Sequence, residues 1–159
     1  MKIQYLVMDV DGTLTDGKIY MGENGEVCKA FNIKDGYGIH DMLIPAGIMP
    51  VIITGRKSKI LMNRCKELGI TEVYQGISDK INQLSTILQD NHSSYGNVAY
   101  IGDDENDLGC MQKIKDAGGM VGCPSDAVPK VKDCSDFIST CTGGNGAVRE
   151  FIEWILKKQ

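Results

Sequence analysis

Apolar residues in this chain fall into short unbroken runs, separated by longer stretches where they recur every three or four positions. Ile3–Val10 is the first run, interrupted only by Gln4 and Asp9, and Ile48–Thr54 and Asn97–Gly102 follow. Glu72–Gln75 and Met120–Gly122 are shorter runs of the same kind. Between them, Lys57–Leu68 places Ile60, Leu61, Arg64, Cys65 and Leu68 at helical spacing, and Asp79–Leu88 and Asn106–Lys115 also read as helices. Ala147–Lys157 closes the chain with Val148, Phe151, Ile152 and Ile155 along one stripe. Strand-length runs alternating with helices predict βαβ units and an α/β fold, its parallel sheet covered on both faces. In such sheets chemistry collects just beyond the carboxyl ends of the strands. Asp9, Thr54 and Asp103 all stand there.

Lys18–Asn32 breaks the alternation. It has two β-like arms around Glu23-Asn24-Gly25, and Asn-Gly is a strong signal for a tight hairpin turn. A hairpin directly after the first strand would project over that strand's end as a flap.

Composition narrows the classes. At 159 residues one domain spanning 1–159 is expected, and 42% hydrophobic with 24% charged residues suits a core-burying soluble protein. A net charge of -4 leaves no basic footprint for nucleic acid or an anionic membrane. The six cysteines form no CxxC pair, and His40 and His92 offer no zinc-like spacing. Without a secretion signal or a span-length apolar run, they read as small hydrophobes in a cytoplasmic protein.

The candidate chemistry is acidic. Asp9 and Asp11 stand two residues apart and so project to one side of an extended backbone. Asp-Gly alone is often a turn or cap, but a turn needs no acid at Asp9, still inside the apolar run, where a lone carboxylate is costly. A hard divalent cation is the simplest partner. Asp103, Asp104 and Asp107 form a second cluster after another β run. Mg²⁺ suits one or two carboxylates from separate loops together with a substrate phosphate. The run lacks the glycine and glutamate of an EF-hand loop. A surface acidic cluster, or a helix N-cap at Asp104, is the alternative reading. Thr54-Gly55-Arg56 brings a hydroxyl, a flexible glycine and a cation to a strand end, apt for phosphate oxygens. Lys80 stands at a predicted helix start, where cations are disfavoured, although a solvated lysine there is unremarkable by itself.

The ordered pieces DVDGTLT, ITGR, SDK and GDDENDL resemble the haloacid dehalogenase superfamily of phosphohydrolases, over nearly the whole chain. Lys29–Ile39, Val51–Ile60, Tyr74–Lys80, Asn97–Leu108 and Gly143–Phe151 resemble its 3-deoxy-D-manno-octulosonate 8-phosphate phosphatases, which serve lipopolysaccharide sugar biosynthesis. The resemblance implies a Rossmann-like doubly wound sheet with a hairpin flap and no cap domain. It implies an aspartyl-phosphate on Asp9, with Asp11 as general acid/base. Thr54 would bind the transferring phosphoryl group, with Gly55 and Arg56 beside it, and Lys80 would neutralise its charge. Mg²⁺ would be held by the Asp9 carboxylate, the Asp11 backbone carbonyl and Asp103, with Asp104 and Asp107 in support. A homotetramer is also implied, in which Ile19, Met21, Val27 and Phe31 of the hairpin would be buried on assembly.

Arg56 suits the carboxylate of a keto-sugar acid, since a guanidinium can grip it with two hydrogen bonds. Relatives acting on nine-carbon keto-sugar-acid 9-phosphates can carry an acid there, so Arg56 favours the eight-carbon substrate. Lys34 stands where arginine is expected in this family, which leaves fine specificity open. Arg149 could reach a neighbour's site or form a salt bridge on its own helix. A rival from another class is a non-catalytic, phosphatase-like oligomerisation module related to sialic-acid cytidylyltransferases. A retired site should have lost Asp9, Asp11 or Lys80, and all three are present.

Overall fold

The computed structural model describes residues 2–159. Strand β1 (Tyr5–Met8) is buried at every position, as an apolar run covered on both faces must be. On one side it pairs in parallel with β4 (Met49–Ile53), and β4 with β5 (Glu72–Tyr74). On the other it pairs with β6 (Val98–Ile101), followed by β7 (Met120–Cys123) and β8 (Phe137–Ile138). The order β5-β4-β1-β6-β7-β8 is a doubly wound parallel sheet. The chain builds outward from β1 in one direction, then returns to build in the other, which opens a crevice at the carboxyl end of β1.

Alternation along β1 divides the core. Leu6 and Met8 join Ile39, Leu43, Phe151 and Ile152 on one face, while Tyr5 and Val7 join Leu84, Ile87, Met111 and Ile114 on the other. Each such buried aliphatic side chain stabilises by about 1.5–3 kcal/mol, so the sheet does not hang on one contact.

The predicted helices form close to their expected limits. Helix α2 (Lys59–Leu68) starts at Ser58, whose hydroxyl accepts from Leu61 N at 3.3 Å, and stops at Gly69 in a left-handed conformation. Helix α3 (Lys80–Asp90) is capped by Asp79, which accepts from Asn82 N at 2.9 Å. Helix α4 (Leu108–Asp116) follows a single 3₁₀ turn, Glu105–Asp107. Helix α6 (Ala147–Lys158) buries Val148, Phe151, Ile152 and Ile155, the stripe expected of it.

Three elements had no periodicity signal. Helix α1 (Ile33–Tyr37) runs on into a π-helical turn, Gly38–Leu43, and α5 (Pro129–Cys134) precedes β8. Gly36 and Gly38 disguise the first of these. A Cβ at Gly38 would press on Arg149 and Ile152 of α6, so the glycine is there for close helix packing. Asp35 locks the contact from the side, accepting from Arg149 N at 2.9 Å and capping the start of α6.

Outside the sheet, the described strands form one antiparallel hairpin, β2 (Tyr20–Gly22) and β3 (Gly25–Cys28). Ile19, Tyr20, Met21 and Val27 are exposed on it. Phe31, grouped with the positions expected to be buried on assembly, packs instead against the main core of its own chain, with the Arg64 guanidinium 6.0 Å from its ring centre.

Candidate active site

Met8 stands level with Ile52 of β4 and Ile101 of β6. The next residues of these strands therefore emerge side by side: Asp9, Ile53–Thr54 and Gly102–Asp103. Asp9 N donates to Ile101 O at 3.2 Å, which holds the acid at the rim of the sheet. Asp9, Asp11, Thr54, Gly55, Arg56, Asp103, Asp104 and Asn106 line a cleft of about 190 Å³ there. Every candidate from the sequence except Lys80 and Asp107 faces this opening. Those two lie directly beneath it.

Lys80 enters from the first turn of α3, its side chain 2% exposed. Its Nζ lies 3.0 Å from Asp9 Oδ1 and 2.8 Å from Asp107 Oδ1. Burial works against its charge, but Asp107 and Asp9 outweigh that and raise its pKa. The helix-start position is thus tolerated because two carboxylates face it.

Asp107 is the hub under the site. Oδ1 accepts from Lys80 Nζ and from the Tyr100 hydroxyl at 2.7 Å, and Oδ2 from Asp103 N at 3.0 Å and Asp104 N at 3.3 Å. Asp104 in turn accepts from Glu105 N at 2.7 Å, the capping role that was the alternative reading of this cluster, while still lining the cleft. Thr54 is buried and pinned at both backbone groups, its N donating to Tyr74 O and its O accepting from Ile77 N.

The residues fit a hard cation. Carboxylate oxygens of Asp9, Asp103 and Asp107 lie within 4.8 Å of one another. With both Asp107 oxygens occupied by hydrogen bonds, Asp9 and Asp103 are left to offer theirs. The Asp103 carboxylate accepts from the Thr13 hydroxyl at 3.0 Å. Burial, then the negative charge of Asp107, push Asp9 up from 3.8 to about 6 despite Lys80. Burial, then Asp9 and Asp107, push Asp103 up to about 8. An all-oxygen set of mutually repelling carboxylates suits Mg²⁺ and not a soft metal.

A stability measurement follows from these shifts. Both folded-state pKa values are raised, so the metal-free protein is most stable with both acids protonated and loses stability as they ionise. Its melting temperature is expected to fall as pH rises from about 4 to about 8, and added Mg²⁺ should stabilise most at the upper end. A metal-free melting temperature that climbs across this range refutes the repulsion.

Several participants carried no clear signal in the sequence. Tyr100 sits inside an apolar run, and only its need for a hydroxyl partner hints at Asp107. Glu26 and Lys29 of the hairpin segment reach the cleft edge: Lys29 Nζ is 2.6 Å from Asp11 Oδ1 and 3.1 Å from Glu26 Oε2. Glu26 also holds Arg56 NH2 at 3.3 Å and the Ser58 hydroxyl at 2.8 Å. The Gly143–Gly146 loop braces the turn after β1. A Cβ at Gly143 would overlap the Gly12 carbonyl, and Gly144 N donates to Thr13 O at 3.0 Å. Gly12 itself has φ +91°, and a side chain there would collide with Asp103. Within this chain Arg149 pairs with Glu153 at 2.7 Å and lies 5.1 Å from the Tyr37 ring centre.

The chain is similar to known proteins over almost its whole length. The chain is 45% identical to the 3-deoxy-D-manno-octulosonate 8-phosphate phosphatase KdsC of Escherichia coli, over 99% of this chain and 81% of that one. The crystal structure of the 3-deoxy-D-manno-octulosonate 8-phosphate phosphatase of Yersinia pestis superposes with a TM-score of 0.92 at 43% identity, covering 99% of this chain and 82% of that one. The corresponding phosphatase of Moraxella catarrhalis, solved with a magnesium ion, a phosphate ion and KDO, gives 0.91 at 41% identity, covering 99% and 87%. No protein-family model matches the chain.

Proposed function

We propose, from the premise that the chain belongs to the 3-deoxy-D-manno-octulosonate 8-phosphate phosphatases of the haloacid dehalogenase superfamily, that it hydrolyses that sugar-acid phosphate through an aspartyl-phosphate on Asp9. One observation carries the mechanism: the Asp9 carboxylate opens into the cleft while the buried Lys80 ammonium steadies it from below at 3.0 Å.

In the first step an Asp9 oxygen bonds to phosphorus as the bond from phosphorus to the sugar oxygen breaks, and Asp11 gives its proton to the departing alkoxide. In the second, Asp11 takes a proton from water as the water oxygen bonds to phosphorus. The acyl phosphate bond breaks, Asp9 is restored and inorganic phosphate leaves. Thr54, with the Gly55 backbone, cradles the phosphoryl oxygens, and Lys80 offsets their charge. Asp9, the Asp11 backbone carbonyl and Asp103 would hold Mg²⁺, kept in place by Asp104 and Asp107. When bound, the ion neutralises phosphoryl charge and orients the group for in-line transfer. The magnesium and phosphate ions in the Moraxella catarrhalis structure support this reading.

Arg56 lines the cleft with its side chain 45% exposed, free enough to meet a substrate carboxylate while also touching Glu26. Five guanidinium donors can serve both. Arg56→Ala is expected to raise KM for 3-deoxy-D-manno-octulosonate 8-phosphate about tenfold or more and to change p-nitrophenyl phosphate hydrolysis little, because that ester has no carboxylate. The measurement is phosphate release from both esters and from a nine-carbon 9-phosphate, with Mg²⁺ and after chelation. Equal losses on both esters refute the role of Arg56, and full activity after chelation refutes the metal.

The exposed Tyr20, Met21 and Val27 support closure of the site by neighbouring copies, in the tetramer that the resemblance implies. A fully active monomer by light scattering at micromolar concentration refutes that assembly.

A further inference from the structure

Lys29 is a buried cation at the edge of the cleft that does not itself line it. Its side chain is 2% exposed, and its Nζ lies between two carboxylates, Asp11 Oδ1 at 2.6 Å and Glu26 Oε2 at 3.1 Å. A buried ammonium persists only where it is paired, so this geometry is held firmly. Glu26 anchors the far side through Arg56 and Ser58 at the start of α2. The hairpin is thereby tied to the strand-end loop at two places, and Asp11 is the residue at the end of the tie.

The geometry points to Lys29 as a positioning residue that aims Asp11 for proton transfer, an inference that rests on the general-acid reading of Asp11 above. An ammonium has donors only, so the Asp11 oxygen it faces can accept but cannot carry the transferred proton. That leaves Oδ2, which lies 3.9 Å from Nε of the cleft residue Arg56, beyond hydrogen-bond distance. Lys29 therefore selects the oxygen that works and fixes its direction. As the proton leaves for the sugar alkoxide, the carboxylate that forms already has its ammonium partner, with no reorganisation required. The hairpin thus contributes to catalysis from its own chain, apart from any covering of the site by a neighbour.

Leaving groups separate this role from a merely structural one. A nitrophenolate departs with little need of a proton, whereas an alkoxide needs one. In this scheme kcat/KM reports events only through departure of the alcohol, so the second half of the cycle does not blur the comparison. Lys29→Met is expected to lower kcat/KM for a sugar phosphate by about tenfold more than for p-nitrophenyl phosphate, chiefly through kcat. Lys29→Arg, which keeps the charge and the donors, should restore most of the difference. Asp11→Asn is the reference and should show the same preference more strongly, by roughly 10²-fold or more on the sugar phosphate.

Equal losses on the two esters in a folded Lys29→Met protein, or a loss confined to KM, would overturn the positioning role. Should Lys29→Met fail to fold, Lys29→Gln decides in its place: it keeps a donor of similar reach without the charge, and must still penalise the sugar phosphate selectively. If Asp11→Asn itself shows no leaving-group preference, the general-acid reading has failed. If Asp11→Asn shows the preference and the Lys29 variants do not, only the inference about Lys29 is wrong.

Discussion

Asp9→Asn is expected to abolish turnover, by on the order of 10⁴-fold or more, while the protein stays folded. An amide oxygen is a far weaker nucleophile than a carboxylate, and no other group can take its place. Asp103 is held aside by Thr13, and both oxygens of Asp107 lie in the hub beneath the cleft. The fold survives because Lys80 keeps Asp107 at 2.8 Å when its other partner becomes neutral. The change also removes one of the charges that push Asp103 up. The metal-free variant should therefore lose less stability than wild type between neutral and mildly alkaline pH. Phosphate release, circular dichroism and a thermal melt test this together. A folded Asp9→Asn protein that still turns over eliminates the aspartyl-phosphate route.

Asp107→Asn and Asp103→Asn should part company, although the two residues are four apart and look alike in the sequence. At Asp107 four donors converge on two oxygens. An asparagine keeps one acceptor and turns an NH₂ group toward either the Lys80–Tyr100 pair or the two backbone amides. Buried donors then face donors, and Lys80 is left with Asp9 as its one carboxylate partner. Breaking a buried charged network of this kind costs about 3–5 kcal/mol, a fall of roughly 6–20 °C in melting temperature for a chain of this size. Asp103→Asn removes a repelled charge in place of an anchoring one. It should leave the metal-free melting temperature at or above wild type and raise the Mg²⁺ concentration needed for activity. Calorimetry and magnesium titrations of the two variants distinguish hub from ligand. Equal melting temperatures would show that Asp107 does not hold the site together.

The order of strands and helices was legible in the sequence because it depends on local periodicity. A buried parallel strand must be apolar throughout, and Tyr5–Met8, Met49–Ile53 and Val98–Ile101 sit inside the runs that announced them. The placement of Asp9, Thr54 and Asp103 followed, since each stands within two residues of a strand's end and parallel sheets gather such ends at one edge. Short β5 and β7 still showed as apolar runs, but other short elements were not legible. Two residues of β8 or six of α5 are too few to show a period, and Gly36 and Gly38 interrupt the pattern over the π-helical turn.

Tertiary structure alone decided which polar residue meets which. Lys80 reaches Asp107 across 27 positions, and Lys29 reaches Asp11 across 18 and back over the hairpin. Such pairings depend on strand register, helix approach and the path of the flap, none of which leaves a mark at either residue alone. The same holds for Phe31, which joins the main core because the chain turns inward after the hairpin. Among three clustered aspartates the sequence could count charges. The resemblance set Asp103 apart as ligand from Asp104 and Asp107 as support, and only the packed chain supplies a physical reason, by pointing four donors at Asp107 and one hydroxyl at Asp103.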